Sequence, residues 1–384
     1  MKVGIFTYHF SDNYGALFQA YALRRWLIER GVEAEFVNYH PDYVEDGGQF
    51  DRPWILSLWR KNVTILYLNL VHIQRQLFGD REQKRAFAEF RESHLGVSQP
   101  RIHNAEQLSP LIQRYDMLIC GSDQIWNPSV QRGLDPTYFL DIPGSESIHK
   151  VAYAPSFGRR KIDPIYHSEL VRLLHSLDAI SVRELSGVAI MEAAKCTHAN
   201  APVTPDPTIL LGQFDSLLDE AEPTDNSVFC YALRTDEIIR IAAETAAKQL
   251  RSPLISPRSP HQRWRDIGHG VSPGPVEWLR MLSRARLVVS NSFHGVALSI
   301  ILNRPFIAVA LPGKRAEMNA RVQNLLSLTG LTERSISHAD SNVISQLMDA
   351  PINWEEVNAR LAAMRSKAES YLDRQIAYVR KHGK

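Results

Sequence analysis

Short apolar runs alternate with longer segments of helical period along most of this chain, and that alternation restricts the fold more than any other feature. Near the start, Val3-Gly4-Ile5-Phe6-Thr7-Tyr8 is a strand-like run. Ser11-Asp12-Asn13-Tyr14-Gly15 is rich in turn and N-cap residues, and Leu17, Ala20, Tyr21, Leu23, Leu27 and Ile28 then recur at helical spacing until Gly31 supplies a stop. Residues 34–39 form the next apolar run, so the segment reads as a βαβ unit, whose crossover requires a parallel sheet. Further short runs at 115–120, 150–154 and 179–182 fit strands covered on both faces by helices.

Pro202, Pro205 and Pro207 crowd together and mark a hinge, beyond which the pattern restarts. Residues 228–233, 253–255, 287–289 and 306–310 read as strands, and 237–250, 275–283 and 294–302 as helices. Trp354, Val357, Leu361, Met364, Ala368, Tyr371, Leu372, Ile376 and Val379 place one apolar stripe along a long final helix. The expected fold class is α/β. It has two doubly wound, Rossmann-like parallel-sheet domains facing a cleft, residues 1–203 and 204–350, with a closing helix over 351–384 that packs back on the N-terminal domain. In such sheets ligands bind beyond the carboxyl ends of the strands, so residues at those ends are the candidates for chemistry.

Composition narrows the function classes. A chain of 384 residues is comfortable as two domains. Its 44 Lys+Arg against 42 Asp+Glu give a net charge of +2, without the excess of a dedicated nucleic-acid binder. Cys120, Cys196 and Cys230 are far apart, which argues against a disulfide framework or zinc ribbon and makes a reducing compartment the default. The N-terminus runs straight into a strand with no signal-peptide cleavage region, so a cytoplasmic location is expected. Residues 52–95 form a basic, aromatic helical excursion in which Arg52, Arg60, Lys61, Arg75, Arg81, Lys84 and Arg85 lie among Trp54, Trp59 and Tyr67. Its uncharged stretch, 62–74, falls well short of the roughly 20 residues that span a bilayer. Two readings stay open: an interfacial helix peripheral to the inner face of the membrane, or an amphipathic cover with solvated basic side chains.

Four strand ends carry unusual residues. Asn13, Tyr14 and Gly15 precede the first helix, where free amides form an anion or hydroxyl site unless they serve only as a cap. Gly121-Ser122-Asp123-Gln124-Ile125-Trp126-Asn127 follows a strand directly, and Asp123 there suits either a base toward a hydroxyl or a helix cap. Arg183, in Ser181-Val182-Arg183-Glu184, suits two-point contact with phosphate or carboxylate, or a surface salt bridge. Ser290-Asn291-Ser292-Phe293-His294-Gly295 is a polar turn entering a helix, where amides, Ser292 and His294 make a phosphate cradle and His294 can shuttle a proton. Walker A, Gly-x-Gly-x-x-Gly and His-Glu-x-x-His segments are missing, and nothing demands a metal.

Together, Asn13-Tyr14-Gly15-Ala16-Leu17-Phe18-Gln19-Ala20-Tyr21-Ala22-Leu23, Gly121-Ser122-Asp123-Gln124-Ile125-Trp126-Asn127, Ser181-Val182-Arg183-Glu184, Asp206-Pro207-Thr208 and Ser292-Phe293-His294-Gly295 resemble the polysaccharide pyruvyl transferase family. The resemblance runs from Val3 to about Arg334. It implies a fold like the two-domain GT-B glycosyltransferases and transfer of pyruvate from phosphoenolpyruvate onto two hydroxyls of a sugar, forming a cyclic ketal. No cofactor is implied beyond phosphoenolpyruvate as donor, and the acceptor is a sugar or lipid-linked oligosaccharide. The resemblance associates His294 and Arg183 with the donor, and Arg321, ahead of Asn324-Leu325-Leu326, is similar to a further family position. The expected roles are His294 as acid and Asp123 as base, with Arg183, Ser292, Asn13, Tyr14, Gly15, Ser122, Gln124 and Arg321 binding substrate. A glycosyltransferase using a nucleotide sugar, or a non-catalytic glycan- or anion-binding protein, are the alternatives on the same fold.

Overall fold

The computed structural model describes residues 1–41, 43, 81–97, 100–198, 200–218, 225–258 and 266–383. Residues 44–80, most of the basic aromatic excursion, lie outside the described residues. Among the described residues no helix is long and apolar enough to cross a membrane.

Two fully parallel sheets organise the chain. The first contains β1 (Lys2–Phe6), β2 (Glu33–Phe36), β3 (Met117–Cys120), β4 (His149–Ala152) and β5 (Ala179–Ile180), in the order β2-β1-β3-β4-β5. The second contains β6 (Val228–Tyr231), β7 (Leu254–Pro257), β8 (His269–Val271), β9 (Leu287–Ser290), β10 (Phe306–Val309) and β11 (Ser335–Ile336), in the order β11-β10-β9-β6-β7-β8. Strand order reverses between β1 and β3 in the first sheet and between β9 and β6 in the second. Crevices open at such switch points because successive crossovers leave on opposite faces. β3, β6, β9 and β10 are buried along their whole length, as apolar strands covered on both faces must be.

Helix Tyr14–Glu29 joins the halves. Asn13 caps it by accepting from the Ala16 amide at 3.1 Å. From Tyr14 to Leu23 every residue is buried, a wider stripe than one apolar face requires, whereas Ile28 is exposed. The reason is a second packing partner. One continuous core holds Val3 and Ile5 of β1, Leu17 and Phe18 of this helix, and Phe229, Val288 and Phe306 of the second sheet. Tyr14 stacks on Trp278 at 5.0 Å and donates its hydroxyl to the Pro273 carbonyl at 2.7 Å.

The final helix, Trp354–His382, also bridges both halves. Its first part packs on helix Asn319–Thr329 and on the short helix Pro207–Leu211. Farther along, the Tyr371 hydroxyl donates to the Ala152 carbonyl of β4 at 3.0 Å, and Glu369 and Asp373 pair with Arg30 at 3.1 and 3.0 Å.

Candidate functional site

Arg183, Asp123 and His294 enter from the carboxyl ends of β5, β3 and β9; Arg183 and His294 meet at a residue from the crossover between the sheets, Asp206, and Asp123 approaches Arg183. The sequence places Asp206 at a Pro-Thr dipeptide that starts helix Pro207–Leu211. One of its carboxylate oxygens caps that helix, accepting from the Thr208 amide at 3.0 Å and the Thr208 hydroxyl at 2.8 Å. The other faces Arg183 Nη1 at 2.8 Å and His294 Nε2 at 3.4 Å. Asp206 is completely buried. Burial by itself would raise its pKa, but the opposing pull of His294, and then of Arg183, holds the carboxyl well below the usual range.

Arg183 is not at the surface. Its side chain is 2% exposed and lies among three carboxylates: Asp206 at 2.8 Å, Glu184 at 3.6 Å and Asp123 at 3.8 Å. Burial disfavours its charge, and the three carboxylates outweigh burial and keep its pKa above that of an ordinary arginine. Only Nη1 makes a hydrogen bond; Nε and Nη2 are buried with no acceptor. Arg321, on helix Asn319–Thr329, is also buried, with Nε lacking an acceptor. Burial, and then neighbouring Arg183, pull its pKa down to about 10, which leaves it cationic at neutral pH. Phe293 lies by both guanidiniums, its ring centre 4.9 Å from Arg183 and 6.0 Å from Arg321.

These residues wall a cleft of about 220 Å³. Arg183, Asp206, Phe293 and Arg321 form its floor and sides, with Leu328 from helix Asn319–Thr329 and Lys367 from the final helix. His294 does not line this cleft. Its imidazole is packed between Asp206 and the first helix, so closely that a Cβ at Gly15 would overlap the ring. His294 meets the cleft wall through Asp206.

The other expected residues hold the scaffold. The Ser122 amide donates to Gln19 at 3.0 Å and its hydroxyl to the Ala154 carbonyl at 2.6 Å. Gln124 accepts from Asn127 at 2.7 Å. Asn13 is a cap, and Tyr14 is spent on Pro273 and Trp278. Ser292 is drawn into its own turn, where its amide donates to the Ser290 hydroxyl at 3.1 Å while that hydroxyl donates to the Tyr231 carbonyl at 2.8 Å. The same turn is fastened by Asn291, which accepts from the Leu233 amide at 2.8 Å and donates to the Arg234 carbonyl at 2.7 Å. A Cβ at Gly295 would overlap the Ser290 hydroxyl, so the turn closes only over glycine. Asp123 has a left-handed backbone, φ 66°, with its carbonyl accepting from the Ser156 amide at 2.8 Å.

Sequence reasoning missed Asp206 and Lys367 as members of the cluster, and a Gly-x-Ser-x-Gly spacing at 270–274. That spacing starts within β8 and ends at Gly274, ahead of helix Pro275–Arg284. Ser272 lacks the left-handed backbone of a strained nucleophile turn, and the neighbouring Pro273 carbonyl serves the Tyr14 contact. Among the described residues no three His, Cys, Asp or Glu are grouped to hold a metal ion.

With this geometry in view, the relatives can be compared. The UDP-GlcNAc 2-epimerase of Neisseria meningitidis, solved with UDP-GlcNAc, superposes with a TM-score of 0.50 at 9% identity, covering 98% of this chain and 100% of the other. The Methanocaldococcus jannaschii UDP-GlcNAc 2-epimerase gives 0.49 at 10% identity over 95% and 100%, and the spinosyn forosaminyltransferase SpnP 0.44 at 13% over 99% and 99%. The likeness to the first is one of fold, the two-domain α/β arrangement of GT-B enzymes. No curated protein matches the sequence. The family model of polysaccharide pyruvyl transferase matches residues 13–311, a span that contains Asp123, Arg183, Asp206 and His294 and ends ahead of Arg321 and the final helix. On that match over most of its length, the chain belongs to the polysaccharide pyruvyl transferase family.

Proposed function

We propose that the protein takes pyruvate from phosphoenolpyruvate and places it on two hydroxyls of a sugar in a polysaccharide or glycan precursor, closing a cyclic ketal and releasing phosphate. The observation that carries this reading is the pair of buried guanidiniums, Arg183 and Arg321, whose unused N–H groups border a small cleft. A buried charged donor without an acceptor costs about 1–3 kcal/mol, which a ligand supplying anionic oxygens recovers. At about 220 Å³ the cleft is below the roughly 300–1,000 Å³ of sites for drug-sized ligands, a size that suits phosphoenolpyruvate better than a nucleotide sugar.

The reaction begins with a proton from His294 to the methylene carbon of the donor, leaving the neighbouring carbon electrophilic. A sugar hydroxyl adds there, with Asp123, 3.8 Å from Arg183, taking its proton. A second hydroxyl then attacks the same carbon and the C–O bond to phosphate breaks. Of the two hydroxyl protons, one replaces the proton given to the methyl group and the other leaves with phosphate. Arg183 and Arg321 hold the anionic donor in place while charge redistributes along it. The imidazole stands 3.4 Å from the Asp206 carboxylate that borders the cleft.

Thermal stability measured with phosphoenolpyruvate, uridine diphosphate and guanosine diphosphate tests the reading. A ligand at 100 times its Kd adds about 2.7 kcal/mol to the native state. Stabilisation by phosphoenolpyruvate that is lost in Arg321→Met is expected, together with a 10²–10⁴-fold loss of turnover in His294→Ala. Stabilisation by a nucleoside diphosphate alone would replace this reading with glycosyl transfer.

A further inference from the structure

We propose that Lys367, on the final helix, is the third cation of the donor site and grips the phosphoryl end of the ligand. The inference rests on the donor reading above and begins with charge. Arg183 is surrounded by Asp123, Glu184 and Asp206, so that group carries two negative charges in excess. Of these carboxylates only Glu184 and Asp206 line the cleft, and Arg183 and Arg321 balance them, which leaves a neutral wall for a multiply charged anion. Lys367 gives that wall its net positive charge.

Three observations place it in that role. Lys367 lines the same cleft as Arg183 and Arg321, although it comes from an element more than 40 residues beyond Arg321. It forms no ion pair or hydrogen bond among the described residues. Of the acidic groups of its own helix, Glu356 is engaged with Arg360, and Glu369 and Asp373 with Arg30, while Glu355 sits far from it in the first turn. The residues around it at the cleft rim are apolar, Leu185, Leu328 and Met364, and such a rim weakens water's competition for its charge.

The division of labour follows from side-chain chemistry. A planar guanidinium fork matches a carboxylate, so the buried arginines suit the pyruvyl carboxylate, whereas a compact ammonium serves phosphate as a point charge. Lys367 is also exposed, which puts the phosphoryl end at the side through which phosphate leaves.

Inorganic phosphate, pyruvate and phosphoenolpyruvate titrated calorimetrically at low ionic strength against wild type, Lys367→Met and Lys367→Arg provide the test. An exposed lysine replaced by methionine keeps its apolar stem, so the variant folds. Expected is a loss of about tenfold or more in affinity for phosphate and phosphoenolpyruvate in Lys367→Met, unchanged pyruvate binding, and recovery to within about threefold in Lys367→Arg. Equal phosphate affinity in wild type and Lys367→Met overturns the assignment, as does wild type that binds no phosphate, or a parallel loss for pyruvate. If phosphate binding depends on Lys367 but phosphoenolpyruvate binds no better than phosphate and is never consumed, Lys367 stands and the pyruvyl reading falls. If wild type and Lys367→Met consume phosphoenolpyruvate with the same KM, the pyruvyl reading stands and Lys367 falls.

Discussion

Replacing Asp206 with Asn separates what that carboxylate does for the fold from what it does for the site. Asparagine caps a helix about as well as aspartate, so the bonds from Thr208 survive. The oxygen facing Arg183 and His294 cannot survive in the same way: if the amide oxygen stays on Thr208, an NH₂ group points at two donors. Breaking a buried ion pair costs about 3–5 kcal/mol; the lower end applies, because Asp123 and Glu184 still face Arg183. For 384 residues unfolding together, about 3 kcal/mol lowers Tm by about 4 °C, and by about twice that if one half unfolds alone. The pH dependence carries the sign. Asp206 has a depressed folded pKa, so its stabilisation is fully present above its unfolded pKa of about 4 and is lost as pH falls toward the folded value. The difference in urea midpoint between wild type and Asp206→Asn should hold steady from pH 8 to 5 and shrink below pH 4. A difference absent at pH 7, or one that stays constant down to pH 3, would refute the reasoning.

Two other substitutions probe the contacts beside it. Gly15→Ala drives a methyl group into the His294 imidazole, so turnover should fall about 10²-fold even though alanine favours a helix by up to about 1 kcal/mol; raised Tm with normal turnover would sink that account. Tyr14→Phe removes the bond to the Pro273 carbonyl and should cost about 1 kcal/mol in urea unfolding while leaving turnover within twofold, whereas a large loss of activity would return Tyr14 to the substrate site.

The sequence made the strands legible because parallel strands covered on both faces need short, wholly apolar runs. Helix Glu237–Leu250 was equally plain, bounded by the cap of Asp236 and the left-handed Arg251. The edge strands β8 and β11, of three and two residues, escape such reading because they carry too few residues for any period, whereas β5 falls within the run read at 179–182. Arg183, Asp123 and His294 were visible as odd residues at strand ends. Their mutual arrangement was not, since it depends on Asp206, whose signature of Asp-Pro-Thr says helix cap and nothing about the oxygen left over. Lys367 had no signal at all: it is one basic residue on the polar face of an amphipathic helix, and only the packing of that helix beside helix Asn319–Thr329 brings it to the cleft.

The final helix has a consequence for anyone recombining such enzymes. Its sequence follows the second sheet, yet Tyr371 is bonded to β4 and Glu369 and Asp373 hold Arg30 at the end of the first helix. A chimera that took its latter half from a homologue, helix included, would set a foreign surface against β4 and Arg30. Compatible halves are thus those that agree at Ala152, His149, Arg30 and the residues they meet, which on the final helix are Tyr371, Glu369, Asp373, Gln375, Tyr378 and Arg380.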